Sequence, residues 1–499
     1  MWNQWIRNCI KPTVDACRES KLFALTLLGQ FCAFFGAGLF FCMGIPANDY
    51  SLMMIGALWV WLGGVSYCLA DLKSRILLLS FYAVIFVFLM CRPLIDIARG
   101  VTRWHYYAGA SVAFAAVSVA VSVLCLHLGA VVAEALLRKD ILKFRNHPNS
   151  VPAGYDVAVF RTVTLLLYLF CGAFYLYREM DALIFMQGRQ YTDYYTAYIP
   201  GYPSFVYTIS QMMPYALCMY LATLPRKREA FVPLALYVLV AVPQLIIGIR
   251  NPIVLNLIFV FLYYCIRDIM GDSKKWLGGF EKACLAIGAP VAAVGLSAYN
   301  YLRDGMEVAN KGIFSAIEDL FYKQGVSFDV LCMGHNAIPS LPGEGKCYTF
   351  GPFIDNFYRG TIGQLLFGAE PFPPGNNAIR AVEGNSFAHS MSYVAHPDYL
   401  EGSGWGSSYI LETFADWGWP GIIVFSLLLG GFLVWFLRGM RGNWFVRTIL
   451  LISLTQLLFI PRSEAMGWWS FITGIHFWFV LIAGVISAKI LQKIVAPSA

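Results

Sequence analysis

GSGWGSSYILETFADWGWPG occupies Gly402–Gly421, and the chain then runs directly into the apolar stretch IIVFSLLLGGFLVWFL, Ile422–Leu437. Crossing a bilayer as a helix takes roughly 17 to 25 mainly apolar residues, so this stretch reads as most of a membrane span. The polar stretch before it sets a carboxylate, Glu412, among glycines and aromatics where the chain re-enters the bilayer. Composition extends the reading to the whole molecule: of 499 residues, 59% are hydrophobic and 13% charged, more apolar surface than a soluble domain can hide. Only helices satisfy their backbone in lipid at these lengths, and the runs are too long for barrel strands. The sequence therefore predicts an all-α polytopic membrane protein.

About twelve spans are expected, starting near residues 23, 52, 75, 107, 159, 205, 230, 252, 280, 420, 444 and 467. Basic residues collect on alternate sides. One side holds Arg7, Lys11, Arg18 and Lys21, then Lys73 and Arg75, the Arg138–Arg145 segment, Arg226–Arg228, Arg267, Lys274 and Lys275, Arg438, Arg441 and Arg447, and Lys489 and Lys493. The positive-inside rule makes that side cytoplasmic and places both termini there. The expected organisation is a cytoplasmic segment 1–22, a bundle of about nine spans over 23–301, an outer loop or cap of short helices over 302–419, about three spans over 420–488, and a cytoplasmic tail 489–499. The basic N-terminal segment is too long and polar for a signal peptide. The formal net charge of +7 is explained as topology signal, without nucleic acid.

In the outer segment, Ile313–Leu331 has helical apolar spacing, whereas SLPGEGKCYTFGPF and AEPFPPGNN are turn-rich. It carries two cysteines, Cys332 and Cys347. They could pair outside the cytoplasm or stay as free thiols. None of the 13 cysteines shows CxxC metal spacing.

The exceptions to the charge rule carry the chemistry. Arg92, Arg99, Arg103, Arg178, Arg189, Arg250 and Arg462 lie in the short outer connections, with no lysine among them. A guanidinium fork matches phosphate oxygens where lysine offers a point charge. Ion pairing with Asp96, which Arg92 and Arg99 flank, and with Glu464, two residues from Arg462, is the competing explanation. Arg250 stands out because GIRNPI joins two spans with almost no loop. The segment QYTDYYTAYIPGYPSFVY, Gln190–Tyr207, has six tyrosines, Tyr194 and Tyr195 among them. They suit either sugar stacking or an interfacial belt.

GSGWGSSYILETFADWGWPG before a late span, the arginine in GIRNP, a polar loop opening after YNYLRDG, and PRSEA beside the penultimate span together resemble the Wzy-type O-antigen polymerases. These belong to a wider group of bacterial lipid-linked oligosaccharide polymerases and ligases. The resemblance implies a glycosyltransferase similar to the GT-C class in the inner membrane, with a periplasmic active site. Such an enzyme transfers the growing glycan from undecaprenyl pyrophosphate to the non-reducing end of the next lipid-linked unit. A chain-length co-polymerase and a flippase are the implied partners.

That chemistry needs a pyrophosphate clamp, an acceptor base and a sugar cleft. Arg250 and Arg303, supported by Arg462 and Arg92, are the clamp candidates. Arg99, Arg189, Tyr194, Tyr195 and Glu464 are further substrate contacts. No DxD motif stands on the outer side, so a reaction without metal or other cofactor is expected. The base candidates include His389 and His396, seven residues apart and able to share a face if the segment is helical. A helix starting near Ser407 or Ser408 would put Glu412 one turn inside, as a base or as the partner of Arg462 or Arg250. A ligase of the same fold and a lipid-linked sugar flippase are the alternatives. The absence of matched internal halves weighs against the flippase.

Overall fold

The computed structural model describes residues 11–101, 106–146, 155–189, 193–271, 275–288, 291, 295 and 313–495. The described residues are helical, with no strand among them, as backbones in lipid require. Ten of the described helices are long and apolar enough to cross a membrane. In chain order the elements used below are α1 (Lys11–Ala47), α2 (Tyr50–Ala70), α3 (Ile76–Ala98), α4 (Gly109–Asn146), α5 (Tyr155–Phe185), α6 (Ser204–Ser210) and α7 (Met213–Ala222). They continue with α8 (Lys227–Ile247), α9 (Asn251–Met270), α10 (Ile313–Gln324), α11 (Ser327–Ala337), α12 (Gly351–Tyr358), α13 (Phe387–Ala395), α14 (Tyr409–Gly439), α15 (Trp444–Leu457) and α16 (Ile475–Val495).

The two remaining expected spans have different fates. The run near 205 forms α6 and α7, which break at Gln211–Met212 just before Pro214, so neither piece is long enough to count alone. The run near 280 is helical from 279 to 288 and then leaves the described residues.

Two groups of helices make the bundle. In the first, α4 lies against α2 and most extensively against α14. Lipid supplies no hydrophobic drive between helices, so close backbone approach and polar contacts bind them. A Cβ on Gly129 would stand 2.0 Å from the Leu427 carbonyl oxygen, and one on Gly430 2.1 Å from that of Leu126; only glycine permits this crossing. Beside it the Ser122 hydroxyl meets those of Ser426 at 2.9 Å and Tyr409 at 2.5 Å. In the second group, α7 packs on α5, α15 and α16. The helices between α9 and α14 form a cap that joins both: α10 lies on α3, α11 on α4, and α12 on the short 3-10 helix Gly467–Thr473. Cys332 is buried in α11 and Cys347 is only partly exposed; both are free thiols.

Helix α14 begins ahead of the apolar run. Ser408 is its N-cap and accepts from the Ile410 amide at 3.3 Å, so the serine start expected from sequence is present. The helix kinks at Gly418 (φ 63°, ψ −150°), a conformation essentially confined to glycine, and Pro420 follows at once. Gly418→Ala is expected to cost about 1–3 kcal/mol and to lower the thermal unfolding midpoint in detergent. An unchanged midpoint would show that the kink relaxes freely.

Candidate functional site

The cap-side arginines divide by what holds them. Arg92 pairs with Asp329 of α11 at 3.2 Å and Arg99 with Glu318 of α10 at 2.9 Å. Both lie over the Tyr322 ring, whose hydroxyl donates to Asp96 at 3.0 Å. Ion pairing therefore does account for Arg92 and Arg99, but with carboxylates of the cap in place of Asp96. They fasten the cap to α3. Arg462 is different: it lies over Phe88, and its Nη1 donates to Gln324 Oε1 at 2.9 Å. Arg250, immediately before α9, is close enough for its charge to bear on Arg462. Guanidinium groups are well matched to phosphate oxygens.

Beside this pair the second helix group encloses a cavity of about 480 Å³. Its walls are aromatic and amide in character, with Tyr175, Tyr215, Tyr237, Trp468 and Phe471 alternating with Gln211, Gln244, Asn251, Asn256 and Gln456. Arg178 lines it as well, held by Glu179 at 2.6 Å and by Ser210 at 3.0 Å, with its guanidinium over Tyr175. Asn251 and Phe459 also line it, one residue from Arg250 and three from Arg462. The break between α6 and α7 falls on this wall, since Gln211, Met213 and Pro214 are lining residues. A second break, at Val240–Ala241 within α8, lies between the lining residues Tyr237 and Gln244. There Asn256 donates to the Tyr237 carbonyl at 2.7 Å, satisfying a backbone group that the break would leave unpaired. Irregular backbone at membrane depth is tolerated where it lines such a cavity.

The loop between α15 and α16 closes the site. Glu412 is fully buried, with Oε1 accepting from Ser407 Oγ at 2.7 Å and Oε2 from the Ala465 amide at 2.7 Å. Glu464, in the same loop, accepts from Ser386 Oγ at 3.2 Å. Its Oε2 stands 3.6 Å from where a Cβ would be on Gly467, a residue that lines the cavity. Burial raises the Glu464 carboxyl above the usual carboxylate range, with Asp355 adding to the effect. An aromatic, amide-lined cleft with a buried carboxylate and flanking arginines can hold a sugar and an attached anion.

A family model described as O-antigen polysaccharide polymerase Wzy matches residues 30–494. The chain belongs to this family. Wzy proteins are glycosyltransferase-type polymerases that act in a membrane on lipid-linked oligosaccharide repeat units, which is the activity this chain carries as a member. No curated protein and no solved structure matches the chain.

The remaining candidates are dispersed. Arg303 lies outside the described residues, as does the side chain of Tyr195. Arg189 is exposed over the Phe185 ring. Tyr194 stacks on Tyr198, whose hydroxyl donates to Asp181 at 2.8 Å, so this part of the tyrosine segment packs against the end of α5. His389 bonds to the Tyr399 hydroxyl at 2.9 Å, and burial, with Arg380 nearby, pushes it down to about 4. His396 follows the end of α13 in extended conformation and stacks edge-on against Trp405; the helix stops short of it, so the two histidines do not share a helical face. Glu412 binds neither Arg250 nor Arg462, which corrects the ion-pair expectation: its partners are a hydroxyl and a backbone amide. Glu464 is not the partner of Arg462 either. Sequence reasoning passed over the amides in apolar spans, although a polar side chain at membrane depth is itself a signal.

These contacts tie Glu412 to the start of α14 and to the loop after α15. Glu412→Gln keeps an acceptor for the Ala465 amide and is expected to retain chain growth within about tenfold of wild type, whereas Glu412→Ala leaves a buried donor unpaired and costs about 1–3 kcal/mol. Polymer ladders and thermal unfolding of both variants check this. Abolished growth in a stably folded Glu412→Gln protein would assign proton transfer to Glu412 instead.

Proposed function

We propose that the chain polymerises undecaprenyl-pyrophosphate-linked repeat units at the periplasmic face of the bacterial inner membrane, with the donor glycan held in the cavity beneath the cap. The observation that supports this reading is a polar, aromatic-lined cavity that Arg178 lines and whose lining residues Asn251 and Phe459 stand one and three residues from Arg250 and Arg462. Sugars present apolar faces to aromatic rings and hydroxyls to amides, and pyrophosphate suits guanidinium forks. In the reaction, the bond between the donor's anomeric carbon and the pyrophosphate oxygen breaks, and the pyrophosphate stays on its lipid. The acceptor hydroxyl oxygen bonds to that carbon and gives up its proton. Arg250 and Arg462 stabilise the charge growing on the leaving group, a role that fixed donors perform without reorganisation. Glu464 takes the proton, its raised basicity suiting the task. Arg178, oriented by Glu179, contacts the sugar. The protein's own side chains thus supply the clamp, the base and the cleft, with no metal or cofactor required. The chain-length co-polymerase acts beside the enzyme, and a flippase supplies the lipid-linked unit.

The family match supports polymerisation over the ligase and flippase alternatives. Purified protein given a lipid-linked repeat unit is expected to produce a ladder of polymer on a gel. Arg250→Ala is expected to abolish chain growth in cells while protein remains in the membrane, and Glu464→Gln to slow it by roughly 10²–10⁴-fold. Normal polymer length in Arg250→Ala would remove that residue from the clamp. Transport of the unit across vesicles without polymer would overturn the polymerase reading.

A further inference from the structure

A second cavity, of about 390 Å³, lies at the opposite end of the second helix group. It is bounded by the start of α5, the end of α7, the start of α15 and the last turns of α16. Its walls are apolar: Phe160 and Val485 line it, and the Phe160 and Trp444 rings pack 4.8 Å apart. Two cations, Arg447 and Lys489, also line it. Arg447 is half-buried, and among the described residues neither cation has an ion-pair partner. Among the described residues Arg447 makes one long hydrogen bond, from Nε to the Asn443 carbonyl at 3.4 Å. Arg267 adds positive potential close to it. The nearby Glu229 is already taken by Arg161 at 3.1 Å, and the lining carboxylate Asp156 is exposed.

Topology signalling explains basic residues on this face, but it requires only that their charges reach water. A guanidinium turned onto the wall of an apolar cavity and left without a counter-charge is costly. An anion with apolar chains offsets that cost and fills the space. A guanidinium fork selects phosphate, and the aromatic and aliphatic walls select hydrocarbon. We propose that this cavity binds the headgroup phosphate of an anionic glycerophospholipid of the surrounding bilayer, with the phosphate on Arg447 and Lys489 and the acyl chains along Phe160 and Val485. The site is independent of the glycan cavity and of the reaction assigned above.

Native mass spectrometry of the full-length protein, loaded with phosphatidylglycerol or phosphatidylcholine, tests it. Wild type is expected to retain phosphatidylglycerol roughly thirtyfold better, the scale expected for two basic contacts of about 1 kcal/mol each. The double variant Arg447→Gln/Lys489→Gln is expected to lose that preference, and Lys493→Gln, an exposed change on the same helix, to keep it. Millimolar inorganic phosphate is expected not to displace the lipid. Equal retention of the two lipids by wild type, undiminished preference in the double variant, or displacement by phosphate would each overturn the proposal. Should the double variant fail to fold, the wild-type unfolding midpoint decides: phosphatidylglycerol nanodiscs are expected to raise it above phosphatidylcholine nanodiscs, and equal midpoints would refute the site.

Discussion

A single buried carboxylate ties the cap-side architecture together. Glu412 has no exposed surface, and its two oxygens bind the Ser407 hydroxyl and the Ala465 amide. Ser407 precedes the cap of α14, while Ala465 lies in the loop after α15. The bond therefore joins the point where the chain re-enters the membrane to the loop that carries Arg462 and Glu464. That loop reaches outward from there, through Arg462 to Gln324 of α10 and through Glu464 to Ser386 before α13. A hydrogen-bonded carboxylate in a site of low dielectric is strong when satisfied and costly when not. This makes it a suitable fixed point for the loop that carries Arg462 and Glu464.

Around that fixed point the membrane helices depart from regularity at the larger cavity. The backbone breaks between α6 and α7 and within α8 both occur on the wall of the larger cavity. At Gly129 and Gly430 the helices pack by close backbone approach. Regular packing thus supplies the frame, and the broken helices line a cavity walled by aromatic and amide side chains. The arginines divide along the same line: Arg92 and Arg99 pair with carboxylates of the cap, while Arg178 lines the cavity and Arg250 lies next to its lining residue Asn251.

Much of the frame was legible in the sequence, because a long apolar run has only one way to satisfy its backbone in lipid. The start of α14 was legible too, since a serine cap is a local signal, and it placed Glu412 correctly one turn inside. The partners were not. Glu412 meets an amide 53 residues further along, and Arg99 meets Glu318, 219 residues away. The nearest carboxylates in sequence, Asp96 and Glu464, proved to be the wrong partners for Arg92, Arg99 and Arg462. Chain-distant pairing depends on how helices stack, which composition does not encode. The break near Gln211 was hidden for a related reason: its flanks are apolar enough to pass as one span, and only Pro214 hints otherwise.

The reading of this chain as a polymerase with an intramembrane glycan cleft rests on where the substrate sits. The most direct measurement is cryo-electron microscopy of the protein bound to a lipid-pyrophosphate-linked repeat unit. Sugar density among Arg178, Tyr215 and Trp468, with pyrophosphate between Arg250 and Arg462, is the expected result. Sugar density on the outer surface of the cap, with this cavity empty, would contradict it.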